Sequence, residues 1–239
     1  MKLDNRKTDD RAIRVREVRR ELAQGGPART RNFDGDFEYI TLPERDCDLL
    51  RDCLVAENVE SVVEVGLAYG SSALAVGEAL VSRDHANPQH VVIDPFQKDM
   101  WSNVGWDLLC SAGLDQIARL LPTLNSEAFP QLIAEGFVAD AGFVDGSHVF
   151  HEVFLDLYYL RKIVKPGGLV IMDDADKPSV RTAAHYFEVN LGWTELSDPF
   201  ADGTWRVDND PNGASLPRCR AFRLPDVFPE PRSRDYLPF

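Results

Sequence analysis

The chain has 239 residues, 44% hydrophobic and 10% aromatic, enough for one large α/β domain with a buried core and unlike a disordered segment. Its 39 acidic residues outnumber 26 basic ones, and the formal net charge of −13 repels phosphate backbones, which argues against nucleic acid as a partner. No apolar run reaches bilayer-spanning length and MKLDNRKTDD lacks a signal-peptide core, so a cytoplasmic protein with no membrane partner is expected.

The first segment, RAIRVREVRR, reads as an exposed helix with a thin apolar stripe of Ile13, Val18 and Leu22. A mobile lid or an oligomer contact is the functional alternative. Gly25-Gly26-Pro27 ends that helix, and residues 1–32 are read as a charged N-terminal extension, followed by a main domain over 33–224 and a tail over 225–239. Pro43 opens a helix over 43–57, after which strands and helices alternate. SVVEVG (61–66) and HVVID (90–94) are short, valine-rich and bounded by turn residues, as buried strands are, and AGFVD (141–145) and LVIMD (169–173) read as the next strands. Helices are expected over 71–82, 127–135 and 178–190. Val149, Val153, Leu157, Leu160 and Val164 recur at the spacing of one helix face, which Lys165-Pro166-Gly167-Gly168 stops. GWTELSD and RCRAFRLP read as a closing strand pair. The four cysteines are scattered without metal-ligand spacing and are read as buried free thiols.

This alternation predicts a parallel sheet covered on both faces, with ligands at the carboxyl ends of the strands. At the first such end stands Glu64-Val65-Gly66-Leu67-Ala68-Tyr69-Gly70. It lacks the G-x-G-x-x-G that seats a pyrophosphate, which speaks against a nicotinamide oxidoreductase. Glu64 would repel a phosphate but suits an ammonium group, and Gly66 and Gly70 let the backbone pass close to a ligand. Asp94, 24 residues after Gly70, is placed to accept from ribose hydroxyls. An ammonium, a ribose and no phosphate describe S-adenosylmethionine; a purely structural strand-to-helix turn is the alternative.

E-V-G-x-x-x-G, VVIDP, FVDGSHVFHEVFLDL and KPGGLVIMDD together resemble the class I S-adenosylmethionine-dependent methyltransferases. Within that class the likeness is to small-molecule O-methyltransferases related to macrocin-, mycinamicin- and cephalosporin-tailoring enzymes, over roughly residues 40–222. The resemblance implies a Rossmann-like, doubly wound α/β fold: a seven-stranded, mostly parallel sheet with an antiparallel closing strand. It also implies Glu64, Gly66, Gly70 and Ser71 around the methionine moiety, Asp94 on the ribose, and Asn125 and Ser126 near the adenine.

In such a fold the tips of the strands at 141–145 and 169–173 are neighbours about 5 Å apart. Asp145, Asp173 and Asp174 then converge, and three carboxylates together call for a proton or a hard cation such as Mg²⁺. The alternative is a helix cap at Asp174 and an ordered turn at Asp145. His148, three residues after Asp145, is the candidate general base, a role an imidazole suits near neutral pH. Phe96, Trp101 and Trp106 read either as core or as an aromatic wall over a ligand. The expected function is metal-assisted O-methylation of a small, secondary-metabolite hydroxyl, in a protein that could form a homo-oligomer. Metal-independent N- or O-methylation and a non-catalytic cofactor-binding protein are the alternatives.

Overall fold

Four largely apolar segments build the centre of the fold, because an apolar strand with no polar alternation is stable only when both faces are covered. In a computed structural model that describes residues 5–29, 36–206 and 215–239, these are β1 (Ser61–Val65), β2 (Gln89–Ile93), β4 (Ala139–Val144) and β5 (Val164–Met172). β3 (Ala118–Leu121) lies beside β2 at one edge, and β9 (Arg220–Arg223) and β6 (Thr194–Leu196) complete the other. The order is β3-β2-β1-β4-β5-β9-β6, with β9 antiparallel to both neighbours. The expected seven-stranded sheet and its closing pair are therefore present. A short antiparallel pair, β7 (Trp205–Arg206) and β8 (Leu216–Pro217), stands apart.

Helices cover both faces. α1 (Asn5–Gly25), α2 (Asp36–Ile40), α3 (Glu44–Ala56), α4 (Ser71–Val81) and α5 (Val104–Ser111) precede β3; α6 (Asn125–Ala134), α7 (Phe150–Ile163) and α8 (Pro178–Leu191) follow it. One core packs α6, α7 and α8 against the sheet around Phe129, Leu157, Leu160 and Phe187. The opposite face is covered by α3 and α4, through Leu50, Leu54, Val76 and Leu80.

Several details differ from the sequence reading. The buried stripe of α1 is Ala12, Val15, Arg19 and Leu22, and Ile13 faces solvent. The apolar face of α7 begins at Val153, since Val149 precedes the helix and is exposed. α5 and β3 carry no strong periodic signal and were not expected. Cys47, Cys53 and Cys219 are buried, whereas Cys110 is exposed. Among the described residues no helix is long and apolar enough to cross a membrane.

Candidate active site

Strand register carries the candidate residues to one edge. Val65 is level with Ile93 on one side and Val144 on the other, and Val144 is level with Met172. The next residues, Gly66, Asp94, Asp145 and Asp173, thus form a row at the carboxyl ends of four parallel strands. The amides of Gly66, Asp145 and Asp173 donate to the carbonyls of Ile93, Val65 and Val144, each at 2.9 Å.

Gly66 and Gly70 have φ of 91° and 87°, a region side chains disfavour. A Cβ on Gly66 would lie 2.1 Å from the Asp145 carbonyl oxygen, so only glycine lets the loop leave β1 here. Gly70 precedes α4, whose first turn has no side-chain cap. Asp94 anchors the loop: its Oδ2 accepts from the amides of Leu67 (3.2 Å) and Ala68 (3.1 Å) and from Gln97 Nε2 (3.0 Å). Its Oδ1 accepts from the Phe96 amide at 2.8 Å. The acid expected on a ribose is thereby also the residue that shapes the glycine loop.

Glu64 departs from its expected place. The buried carboxylate lies between Ser72 Oγ at 2.6 Å and His90 Nε2 at 2.7 Å. Through these two bonds Glu64 braces α4 against β1 and β2. Ser71, the residue before Ser72 on α4, lines a cavity of about 230 Å³.

The acid cluster also rearranges. Arg218 donates Nε to Asp173 Oδ1 at 2.7 Å and Nη2 to Oδ2 at 2.6 Å, a buried two-point ion pair. Asp173 therefore leaves the expected metal set. The group that converges among the described residues is Asp145, His148 and Asp174, with donor atoms within 4.8 Å of one another. Asp174 sits at φ 51° and meets His148 Nε2 with Oδ2 at 2.7 Å. Lys177 Nζ lies 2.5 Å from the same oxygen and Arg206 Nη1 2.6 Å from Oδ1. Burial favours protonation of Asp174, but the bonds from His148 and Lys177 outweigh it and hold the carboxyl well below its usual range. Asp145 goes the other way: loss of solvent, then the charges of Asp173 and Asp174, push its pKa up.

An all-oxygen magnesium shell from Asp145, Asp173 and Asp174 does not fit this arrangement, because Arg218 binds both oxygens of Asp173. A divalent ion that accepts nitrogen does fit the remaining two carboxylates and imidazole. The Asp174–Lys177 pair has an i,i+3 signal in the sequence. Arg218, 45 residues from its partner, has none.

Asn125 and Ser126 open α6 beyond the end of β3. Asn125 Nδ2 donates to Asp156 Oδ1 at 2.5 Å, and Ser126 is exposed. Of the aromatic segment, Trp101 packs edge-on against Tyr69 of the glycine loop at 5.2 Å, while Phe96 is exposed. Gly105 presses α5 onto the loop so closely that a Cβ there would lie 2.5 Å from the Ala68 carbonyl oxygen.

Residues 63–175, which span this whole row of strand ends, match a family model described as a methyltransferase domain. Over these residues the chain is similar to methyltransferase domains. Its architecture is shared with the O-methyltransferase TomG from Streptomyces achromogenes, involved in tomaymycin synthesis and solved with S-adenosylmethionine. That likeness has 14% identity, covers 89% of each chain and has a TM-score of 0.62. An O-methyltransferase from Bacillus cereus, solved with S-adenosylhomocysteine, matches at 13% identity over 89% of this chain and 90% of its own, with a TM-score of 0.61. At such identities the likeness concerns the fold. No curated protein sequence matches the chain.

Proposed function

We propose that the protein transfers the methyl group of S-adenosylmethionine to a hydroxyl of a small acceptor, in the manner of secondary-metabolite tailoring, with His148 as general base. The observation that carries this reading is the 2.7 Å contact between His148 Nε2 and Asp174 Oδ2 on the strand-end row that begins at the glycine loop. With Nε2–H donating to Asp174, Nδ1 holds the lone pair. With S-adenosylmethionine bound, His148 Nδ1 would take the proton of the acceptor O–H as the methyl passes from the sulfonium to that oxygen, which would leave a neutral thioether. Asp174 stabilises the imidazolium that forms, and Lys177 and Arg206 keep Asp174 ionised for that task. Most of the rate enhancement comes from holding oxygen and sulfonium in line. Gly66, Gly70 and Ser71 border the cofactor's methionine moiety, Asp94 its ribose, and Asn125 and Ser126 its adenine.

A second reading is supported by the convergence of Asp145, His148 and Asp174 and by the raised pKa of Asp145. There these three residues hold a divalent cation, which would supply Lewis-acid activation of the acceptor. One experiment separates the two: label transfer from methyl-labelled S-adenosylmethionine to a panel of small hydroxylated acceptors, in excess chelator and with cation restored. Turnover that persists in chelator and collapses in His148→Ala supports the base. Turnover that returns only with cation supports the second reading.

A further inference from the structure

The cavity of about 230 Å³ that Ser71 lines is walled on its other sides by α1 and by the segment joining α2 to α3. Two of its lining groups are unsatisfied: Arg19 Nη1 and Thr41 Oγ1 are buried with no hydrogen-bond partner among the described residues. Arg19 is only 3% exposed, and a buried guanidinium donor left unpaired is costly. The rest of that guanidinium is fixed, with Nε on Glu78 at 3.1 Å and Nη2 on Asp48 at 2.5 Å. Arg16 also binds Glu78, and Arg51 contacts both Glu78 and Asp48, so both acids are already shared among several guanidinium groups. Across the cavity α4 begins at Ser71 with no side-chain cap, so first-turn amides add a second set of donors. Glu38 and Glu44, both exposed, stand among the lining residues and supply the opposite sign. A buried cation, uncapped amides and nearby acids suit a zwitterion.

We propose that Arg19, with Thr41 and the first turn of α4, binds the carboxylate of the cofactor's amino-acid end, with Glu38 and Glu44 facing its ammonium group. The inference rests on the reading that S-adenosylmethionine is the cofactor. It makes α1 a wall of the cofactor site rather than an appendage.

Calorimetry of the full chain with S-adenosylhomocysteine and with its decarboxylated analogue tests this directly. The wild type should prefer the carboxylate-bearing ligand by about 10- to 100-fold, the range for a charge-assisted pair. Arg19→Met should erase that preference, lowering affinity for S-adenosylhomocysteine while leaving the analogue unchanged, and Arg19→Lys should keep part of it. Equal wild-type affinity for the two ligands overturns the inference but leaves the cofactor assignment standing. Equal weakening of both ligands by Arg19→Met makes Arg19 structural and also overturns it. No binding of either ligand to the wild type overturns both. Should Arg19→Met fail to fold, the wild-type comparison and Arg19→Lys still decide.

Discussion

Arg218 grips Asp173 through two parallel hydrogen bonds of 2.7 and 2.6 Å, both partners being almost fully buried. Of two adjacent acids at the end of β5, one is thereby a structural anchor and the other, Asp174, faces His148. Planarity of the guanidinium matters here, since only a two-point donor satisfies both carboxylate oxygens at once.

Arg218→Ala leaves a buried carboxylate without its partner, and the expected loss of unfolding free energy is about 3–5 kcal/mol. Lysine at the same position should recover only part of this, because it cannot make both bonds. Denaturant titration reads the difference. A loss below about 1 kcal/mol for Arg218→Ala would mean that the pair does not hold the end of β5.

His148→Ala and Asp174→Asn should each lower kcat by about 10²–10⁴, the worth of general-base assistance. Affinity for S-adenosylhomocysteine should stay the same in both. Wild-type kcat/KM should fall toward acid pH, as a reaction that needs a free base does, and His148→Ala should lack that limb. Wild-type turnover by His148→Ala across pH would make the histidine structural.

Asp156 is buried, and burial raises its pKa to about 7; the bond from Asn125 opposes that rise and the Glu152 charge adds to it. In the unfolded chain the same group titrates near 3.9, so between those values the folded state binds more protons. Stability from this group is complete below about pH 4 and is lost as pH rises through about 7, on the order of 4 kcal/mol in all. Asp156→Asn removes the proton dependence, so the variant should gain on the wild type between pH 5 and pH 8 in denaturant titrations. A constant difference across that interval would mean that Asp156 is not held protonated in the fold.

Gly66→Ala and Gly136→Ala separate crowding from backbone preference. Both positions have positive φ, but a Cβ at Gly66 meets the Asp145 carbonyl at 2.1 Å while one at Gly136 meets nothing within 4 Å. The second change should cost about 1–2 kcal/mol, the first substantially more, with loss of cofactor binding. Thermal unfolding of the two variants side by side reads this, and equal shifts would place the loop farther from β4 than described.

The parts of the fold legible in sequence are those whose residues must be apolar in an unbroken run. β1, β2, β4 and β5 are buried on both faces, so SVVEV and LVIM announce themselves. β3 is an edge strand that carries Arg119 and is mostly half-exposed, and ARLL gives no such signal. At the site, Gly66 and Gly70 were readable because a glycine need is a backbone need. The direction of Glu64 was not, since His90 and Ser72 are its neighbours only after β1, β2 and α4 pack. Arg218 and Arg19 reach their partners across 45 and 59 residues, a distance at which no local pattern records a contact.

The cofactor assignment is tested most directly by titrating the wild-type chain with S-adenosylhomocysteine and, separately, with NADH in a calorimeter. One molecule of S-adenosylhomocysteine should bind per chain, NADH should give no heat of binding, and Asp94→Ala should weaken the first titration by about tenfold or more. Tight NADH binding together with no response to S-adenosylhomocysteine would contradict the assignment and, with it, the roles given to the glycine loop and to His148.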